Sequence, residues 1–524
     1  MQRNRTIIKS GKRASRRLLG TEWCRDTTPT APIDHPVLAS ADRAVQPWHL
    51  DGDQRTDSIH VRGDMSIAMK SLTLRFLCGS AAIASSAVAT NAHAQGVTPS
   101  AATQAVSLPT SSVAAFYNTL RKSPIWFRGG VPDAAAGELV AILKRAPYDG
   151  LASGPQVAAQ VEQAIARASS GNPADVTTAE QMLSAAWVLY VQTLKRPTPG
   201  MIYAYPVLSP ATNSRADQIL LTAAAAPSLS AYLQSAANVN PIYASIRDAA
   251  WREAQATGNL TPDPRLLANL ERARTLPSRG RFALVDSASQ RLFMYENGQM
   301  VDSMKVVVGD KDKLGLPTPL IASVMHYMTF NPYWNVPHHL VRKTVAPGYL
   351  KQGGAKYLKA KGYEVMSNWT DDATVLDPDS IDWKAVQAGT KQIRVRQLPG
   401  PTNSMGKMKF PFPNGQDIFL HDTPTREHFA KAQRTISNGC VRLEDARRFA
   451  RWLLGREPVA PSDGTEVRVQ LPAGVPIYLT YLTAQPTDKG LTYLKDVYGW
   501  DRPSSQQVAV NQATAPTQQG ASGR

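Results

Sequence analysis

Cysteine is nearly absent from this chain. Among 524 residues there are three, Cys24, Cys78 and Cys440, too few for a disulfide framework. Acid is also short: 41 Asp and Glu stand against 58 Lys and Arg, a net charge of +17. That balance suits an anionic partner, whether nucleic acid, a membrane surface or a wall polymer. No basic stretch is interleaved with aromatics, and no zinc-finger or RNA-motif spacing occurs, so nucleic acid is not the expected partner. Histidines 326, 338, 339 and 428 have no ligand spacing to one another or to a cysteine. No metal and no cofactor is therefore expected. What remains is globular in character, with 43% hydrophobic and 19% charged residues, and is long enough for several domains.

The N-terminal part contains a compartment signal. Residues 1–64 are charged, contain proline and have no periodicity. From Met65 the chain reads MSIAMKSLTLRFLCGSAAIASSAVATNAHAQ. Lys70 and Arg75 give a positive start, Leu72 to Ala89 is mostly apolar and small, and Ala92-His93-Ala94 is a small-x-small cleavage site before Gln95. This is the design of a secretory signal peptide. The apolar stretch is short and interrupted for a membrane span. The expectation is export to the periplasm, a signal peptide at 65–94, and a true start at Met65 or Met69, with 1–64 a misassigned extension. The exported chain then keeps Cys440 as its one cysteine. An unpaired cysteine behind Asn438-Gly439 in an exported protein reads as a reactive thiol.

The rest divides by periodicity. Residues 95–112 are small and polar, a linker. Residues 113–279 show apolar residues at i, i+3, i+4 spacing, broken by Pro132, Gly150, Pro173, Pro197, Pro241 and Pro262, and predict an all-α scaffold domain. From about 280 the period drops to two. GRFALVDSASQRLFMYENGQMVDSMKVVVG predicts three strands, the last two joined by an Asn297-Gly298 turn. LIASVMHYMTF, IRVRQ, DIFLH, TEVRVQL and PIYLTYLT predict further strands. Residues 338–400 interrupt this β pattern, basic and helical first, then acidic and loop-like. They read as an insertion lying over the sheet. EDARRFARWLL after Cys440 predicts an amphipathic helix, and 501–524 has a disordered composition. The fold class is α+β: a helical scaffold, then a mainly-β, sandwich-like domain over 280–500 with a helical and loop-built cap.

The chemistry centres on one pair. Only a thiolate attacks, and a free thiol is mostly protonated at neutral pH. His421, ending an apolar strand, is placed to take the Cys440 proton and return it to a leaving amine. Gly439 lets the backbone turn, so nearby amides would face an oxyanion. Either a backbone carbonyl or Asp422 would orient the imidazole. Arg442 shares a side with Cys440 if the chain is extended; it would hold a substrate carboxylate or pair with Glu444 or Asp445. His428 reads as solvated. Ser437 is a conceivable nucleophile, but Cys440 is the better one beside the same histidine.

His421-Asp422-Thr423-Pro424 followed by Ser437-Asn438-Gly439-Cys440-Val441-Arg442-Leu443 resembles the signature of the L,D-transpeptidases, the YkuD-type catalytic domain. Asn438 stands where the family usually has a histidine. The Tyr295-to-Gly298 hairpin, NPYWNVP at 331–337, Gly362-Tyr363-Glu364-Val365, SPIWFRGG at 123–130 and LLANLERARTLP at 266–277 resemble the scaffold-bearing, YcbB-like subgroup. The resemblance covers about 113–500. There is no room between Trp251 and Leu266 for the peptidoglycan-binding module that this subgroup often carries. The resemblance implies a thioester on Cys440, formed from a tetrapeptide donor stem with loss of D-alanine. The side-chain amine of an acceptor diamino acid would resolve it into a 3–3 crosslink. It implies His421 as acid and base, Gly439 in the oxyanion hole, and Arg442, Asn438, Ser437, Trp334 and Tyr333 as substrate-binding residues. For Trp334 and Tyr333 the plain alternative is core packing. It also implies carbapenem sensitivity and cell-wall synthesis proteins as partners. The alternatives are an L,D-carboxypeptidase or crosslink hydrolase, attachment of an outer-membrane protein to the wall, and a non-catalytic wall protein.

Overall fold

The computed structural model describes residues 107–120, 123–210, 215–462 and 464–502. The expected signal peptide at 65–94, Cys24, Cys78 and the tail from 503 lie outside the described residues.

The predicted helical region forms α1 (Thr110–Ala115), α2 (Ala134–Arg145), α3 (Gly154–Ala168), α4 (Pro173–Leu194), α5 (Ala216–Ala225), α6 (Leu229–Asn238), α7 (Pro241–Thr257) and α8 (Pro264–Ala273). Their starts are set locally. The Asp133, Asn172, Asn240 and Asp263 side chains each accept a first-turn amide, and proline follows three of them, a position that needs no amide hydrogen. Helix α4 is apolar nearly all round and buries Leu183, Trp187, Tyr190 and Val191, as a central helix must. Its buried Glu180 accepts the backbone amides of Ile125, Trp126 and Phe127, which pins the SPIWF segment.

One part of this region is not helical. Ile202–Tyr203 is a strand, β1, paired in parallel with Ile321 and Ala322. The all-α expectation is corrected there. Pro197 and Gly200 end α4, and the next residues fill an edge of the neighbouring sheet. Two residues are too few to show a period of two.

That sheet has ten strands: β1, β2 (Phe282–Asp286), β3 (Arg291–Glu296), β4 (Gln299–Gly309), β5 (Ile321–Phe330), then β10 (Met408–Pro411), β11 (Phe419–His421), β12 (Thr435–Ser437), β13 (Val441–Leu443) and β14 (Val467–Thr480). Asn297 and Gly298 both have positive φ (52° and 79°), as a two-residue hairpin turn requires. The order runs β1-β5-β10-β11-β13-β4-β3-β2-β14, and β14 pairs back onto β5. The expected sandwich is thus one sheet folded over and closed on itself. The two predicted closing strands are a single β14 with a register break between Gln470 and Val475. Helix α8 locks onto the segment that follows β14: Arg272 pairs with Asp501 at 2.6 Å, and Asn269 bonds Thr483 and Asp501.

The cap is more ordered than the sequence reading held. β6 (Trp334–Asn335), β7 (Tyr363–Met366), β8 (Val375–Leu376) and β9 (Arg394–Gln397) form their own sheet, ordered β6-β9-β7-β8. The predicted strand IRVRQ lies in this sheet, not the large one. The acidic segment read as loop holds β8 and a helix, Trp383–Ala388, capped by Asp382. Val336, Val341, Val345, Leu358, Val365, Trp383 and Val395 make a separate core. The folded insertion therefore begins at Trp334. Its strands are too short for their alternation to stand out from the charged residues around them.

Candidate active site

Three adjacent strands set the geometry. Lys409 of β10 lies opposite His421 of β11, and His421 lies opposite Arg442 of β13. Residues in register across a sheet project from the same face, as do residues two apart on a strand. One face therefore carries Phe419 and His421 on β11 and Arg442 on β13, with Cys440 just ahead of it. The Phe419 and His421 rings are 5.9 Å apart. Leu420 and Val441, one position over, are fully buried on the other side.

His421 is 2% exposed. Its Nδ1 donates to the backbone carbonyl of Asp422 at 2.6 Å. A carbonyl only accepts, so Nδ1 bears the hydrogen and Nε2 is the free base. The orienting group is thus the carbonyl and not the Asp422 carboxylate. That carboxylate accepts from the Lys407 amide at 2.9 Å and from Arg426 at 3.5 Å. Burial, and then the charges of Arg442 and Lys409, push the His421 pKa down to about 3.

Cys440 is half-buried and free. Its Sγ donates to the Asp417 carbonyl at 3.7 Å. Burial raises the thiol to about 11, against the lowering pull of the Phe419 amide, Lys409 and Arg442. No hydrogen bond joins Sγ to the imidazole among the described residues. The resting pair is a neutral thiol and a neutral imidazole.

The turn ahead of Cys440 is held by Ser437. Its hydroxyl donates to the Cys440 carbonyl at 2.6 Å and accepts the Gly439 amide at 3.2 Å. Gly439 has φ +104°, open to glycine and strained for other residues. Thr318 Oγ1 donates to the Gly439 carbonyl at 2.8 Å. The Gly439 amide is therefore spent within the turn, which corrects its assignment to an oxyanion hole. The amide that faces the sulfur is that of Phe419. Ser437 is 1% exposed, and the structure gives its hydroxyl to the turn, not to a ligand. Ser437→Ala strands two buried groups and is expected to cost about 1–3 kcal/mol. Urea unfolding measures the cost, and an unchanged midpoint would refute this role.

Arg442 does not take the expected acidic partners. Glu444 accepts the Lys305 amide at 2.9 Å, and Asp445 caps the helix Ala446–Leu454. Arg442 donates instead to His428 Nδ1 at 3.2 Å, so His428 is a support for the arginine and not a solvated residue. Desolvation lowers the pKa of Arg442 and of Lys409. Asn438 faces His339 at the root of the cap. Tyr333 and Trp334 also lie at that root: the Tyr333 amide donates to Glu466 at 2.6 Å, and Trp334 packs on the cap core. Lys409, His428, Thr318 and His339 were missed by the sequence reading. Only the odd-even pattern of Lys409-Phe410-Pro411-Phe412 hinted that Lys409 faces away from the core. Among the described residues no group of three His, Cys, Asp or Glu could hold a metal ion.

This arrangement can do acyl transfer: a thiol, a base with a fixed tautomer, and two cations on one face. The model of the L,D-transpeptidase catalytic domain, YkuD, matches residues 280–469, and a scaffold-domain model matches 111–249. A Haemophilus influenzae protein named "Putative L,D-transpeptidase" is 25% identical over 400 residues, 74% of this chain and 78% of the relative. Members of the family act on peptidoglycan peptides. The chain thus carries a YkuD-type L,D-transpeptidase catalytic domain at 280–469, behind a scaffold domain at 111–249.

Proposed function

We propose that the protein forms 3–3 crosslinks in peptidoglycan through a thioester on Cys440. The observation that carries this reading is the shared face: Cys440 beside a His421 whose Nδ1 is tied to the Asp422 carbonyl and whose Nε2 is a free base.

Sγ attacks the carbonyl carbon of the third residue of a donor tetrapeptide stem, and its proton passes to Nε2 of His421. The carbon–nitrogen bond to D-alanine breaks as Nε2 returns that proton to the leaving amine. The side-chain amine of an acceptor diamino acid then attacks the thioester. Its proton goes to Nε2 and on to the departing sulfur, restoring thiol and neutral imidazole. The leader at 65–94 would deliver the enzyme to the periplasm, where this substrate is found. Carbapenems would acylate the same sulfur.

The test is incubation of the mature protein with disaccharide-tetrapeptide, read by mass spectrometry. A dimer lighter by one D-alanine is expected, and Cys440→Ala should yield none. Tripeptide alone would mean that water resolves the thioester, making the protein an L,D-carboxypeptidase. No product and no Cys440 adduct would end the acyl-transfer reading.

A further inference from the structure

Lys409 and Arg442 stand on either side of His421 in one row across β10, β11 and β13. Both are half-buried, and neither makes an ion pair with a carboxylate among the described residues. Lys409 Nζ rests 4.0 Å from the centre of the Phe419 ring, and the Arg442 guanidinium is held by neutral His428. The nearest acids do not close the gap. Asp417 is exposed, and Glu466 already accepts the Tyr333 amide. Two desolvated cations without a counter-charge are costly to the fold. They also depress the basicity of His421 between them. A structure that keeps such a pair beside its nucleophile is built to receive an anion there.

We infer that Lys409 and Arg442 form a carboxylate seat astride His421, and that the donor stem is selected by a free carboxylate next to the bond that is cut. This rests on the acyl-transfer reading above and adds to it a substrate requirement. Such a donor offers two carboxylates beside that bond. One is the terminal carboxylate of the leaving residue, and the other is on the side chain of the attacked residue. Lys409 is a positioning residue on this account, acting on the substrate's charge and not on the reacting atoms.

Three tetrapeptide donors separate the sources: one with both carboxylates free, one amidated at the terminus, and one amidated on the third side chain. D-alanine or its amide released gives kcat/KM. In the wild-type protein one of the two amidations should lower kcat/KM roughly tenfold to a hundredfold, mainly through KM. The amidation that does so identifies the seated group. In Lys409→Met the free donor should fall by a similar factor, and that amidation should then cost little more. Lys409→Arg should restore much of the discrimination, which a merely misfolded variant would not do. If neither amidation matters to the wild type, or if Lys409→Met lowers all three donors equally, the seat does not exist. Release from no donor at all would overturn the acyl-transfer reading itself, a different result from release that ignores amidation.

Discussion

His421→Ala should slow acylation of Cys440 by about a hundredfold to ten-thousandfold, the usual worth of a positioned general base. The more telling result is expected from the intact pair. An ordinary histidine protonates near pH 6.5 and would lose about thirtyfold of its basic form by pH 5. His421 is held at about 3 by burial and by Arg442 and Lys409. A lowered pKa means the base stays neutral as acid is added, so acylation should remain flat from pH 7 to pH 5. The thiol is shifted the opposite way, to about 11. A raised pKa means it stays protonated, with roughly one part in ten thousand as thiolate at pH 7. Iodoacetamide should therefore label resting Cys440 about two orders of magnitude more slowly than free cysteine, and about tenfold faster for each pH unit up to 11. Rapid, pH-independent labelling at pH 6 would show a standing thiolate–imidazolium pair, and the neutral resting state would be wrong.

A neutral resting pair has a consequence for mechanism. On the proposed acyl-transfer mechanism the sulfur would ionise only as it attacks, with the proton moving to Nε2 within the same step. The fixed Nδ1–H bond to the Asp422 carbonyl keeps Nε2 free for it. A standing, accessible thiolate would be open to oxidation. Keeping Cys440 protonated and bonded to the Asp417 carbonyl limits that reactivity to the moment a substrate is present.

How much of this could be read beforehand depends on the range of the interaction. Cys440 and His421 stood out because a lone cysteine behind Asn-Gly and a histidine at a strand end are local patterns. The strands from 282 to 309 were legible because their alternation is long and their Asn-Gly turn is specific. The row Lys409–His421–Arg442 was not. It exists only when three strands far apart in sequence adopt one register, and no single segment encodes that. The Gly439 amide failed for a related reason. Glycine permits a tight turn, but the Ser437 hydroxyl decides where the amide points. His428 read as solvated because its partner, Arg442, lies on another element. The cap's sheet and β1 were hidden by shortness, since two to four residues cannot display a period.

Gly309→Ala is expected to damage the site from behind. Gly309 ends β4, and the reason for glycine there is space. A Cβ would lie 2.5 Å from the Thr318 amide and 2.7 Å from the Pro317 carbonyl carbon, and closer still to the Leu316 carbonyl oxygen. All three are backbone atoms, so no side chain can swing aside. The 316–318 loop would have to move outward. That loop is what supports the catalytic turn. The Gly309 amide donates to Thr318 Oγ1 at 2.9 Å, and the same hydroxyl donates to the Gly439 carbonyl at 2.8 Å. Tyr498 closes the network by donating to the Gly309 carbonyl at 2.8 Å. A single methyl should thus cost about 1–3 kcal/mol by overpacking. It should also displace the Ser437–Cys440 turn, and a shift near 1 Å at reacting atoms costs about a hundredfold in rate. Thr318→Val separates the two effects, because it keeps the shape and removes the hydroxyl. It should lose about 1–2 kcal/mol and part of the activity without the clash. If Gly309→Ala unfolds at the wild-type urea midpoint and turns over at the wild-type rate, the loop does not hold the turn, and Cys440 is positioned from β13 alone.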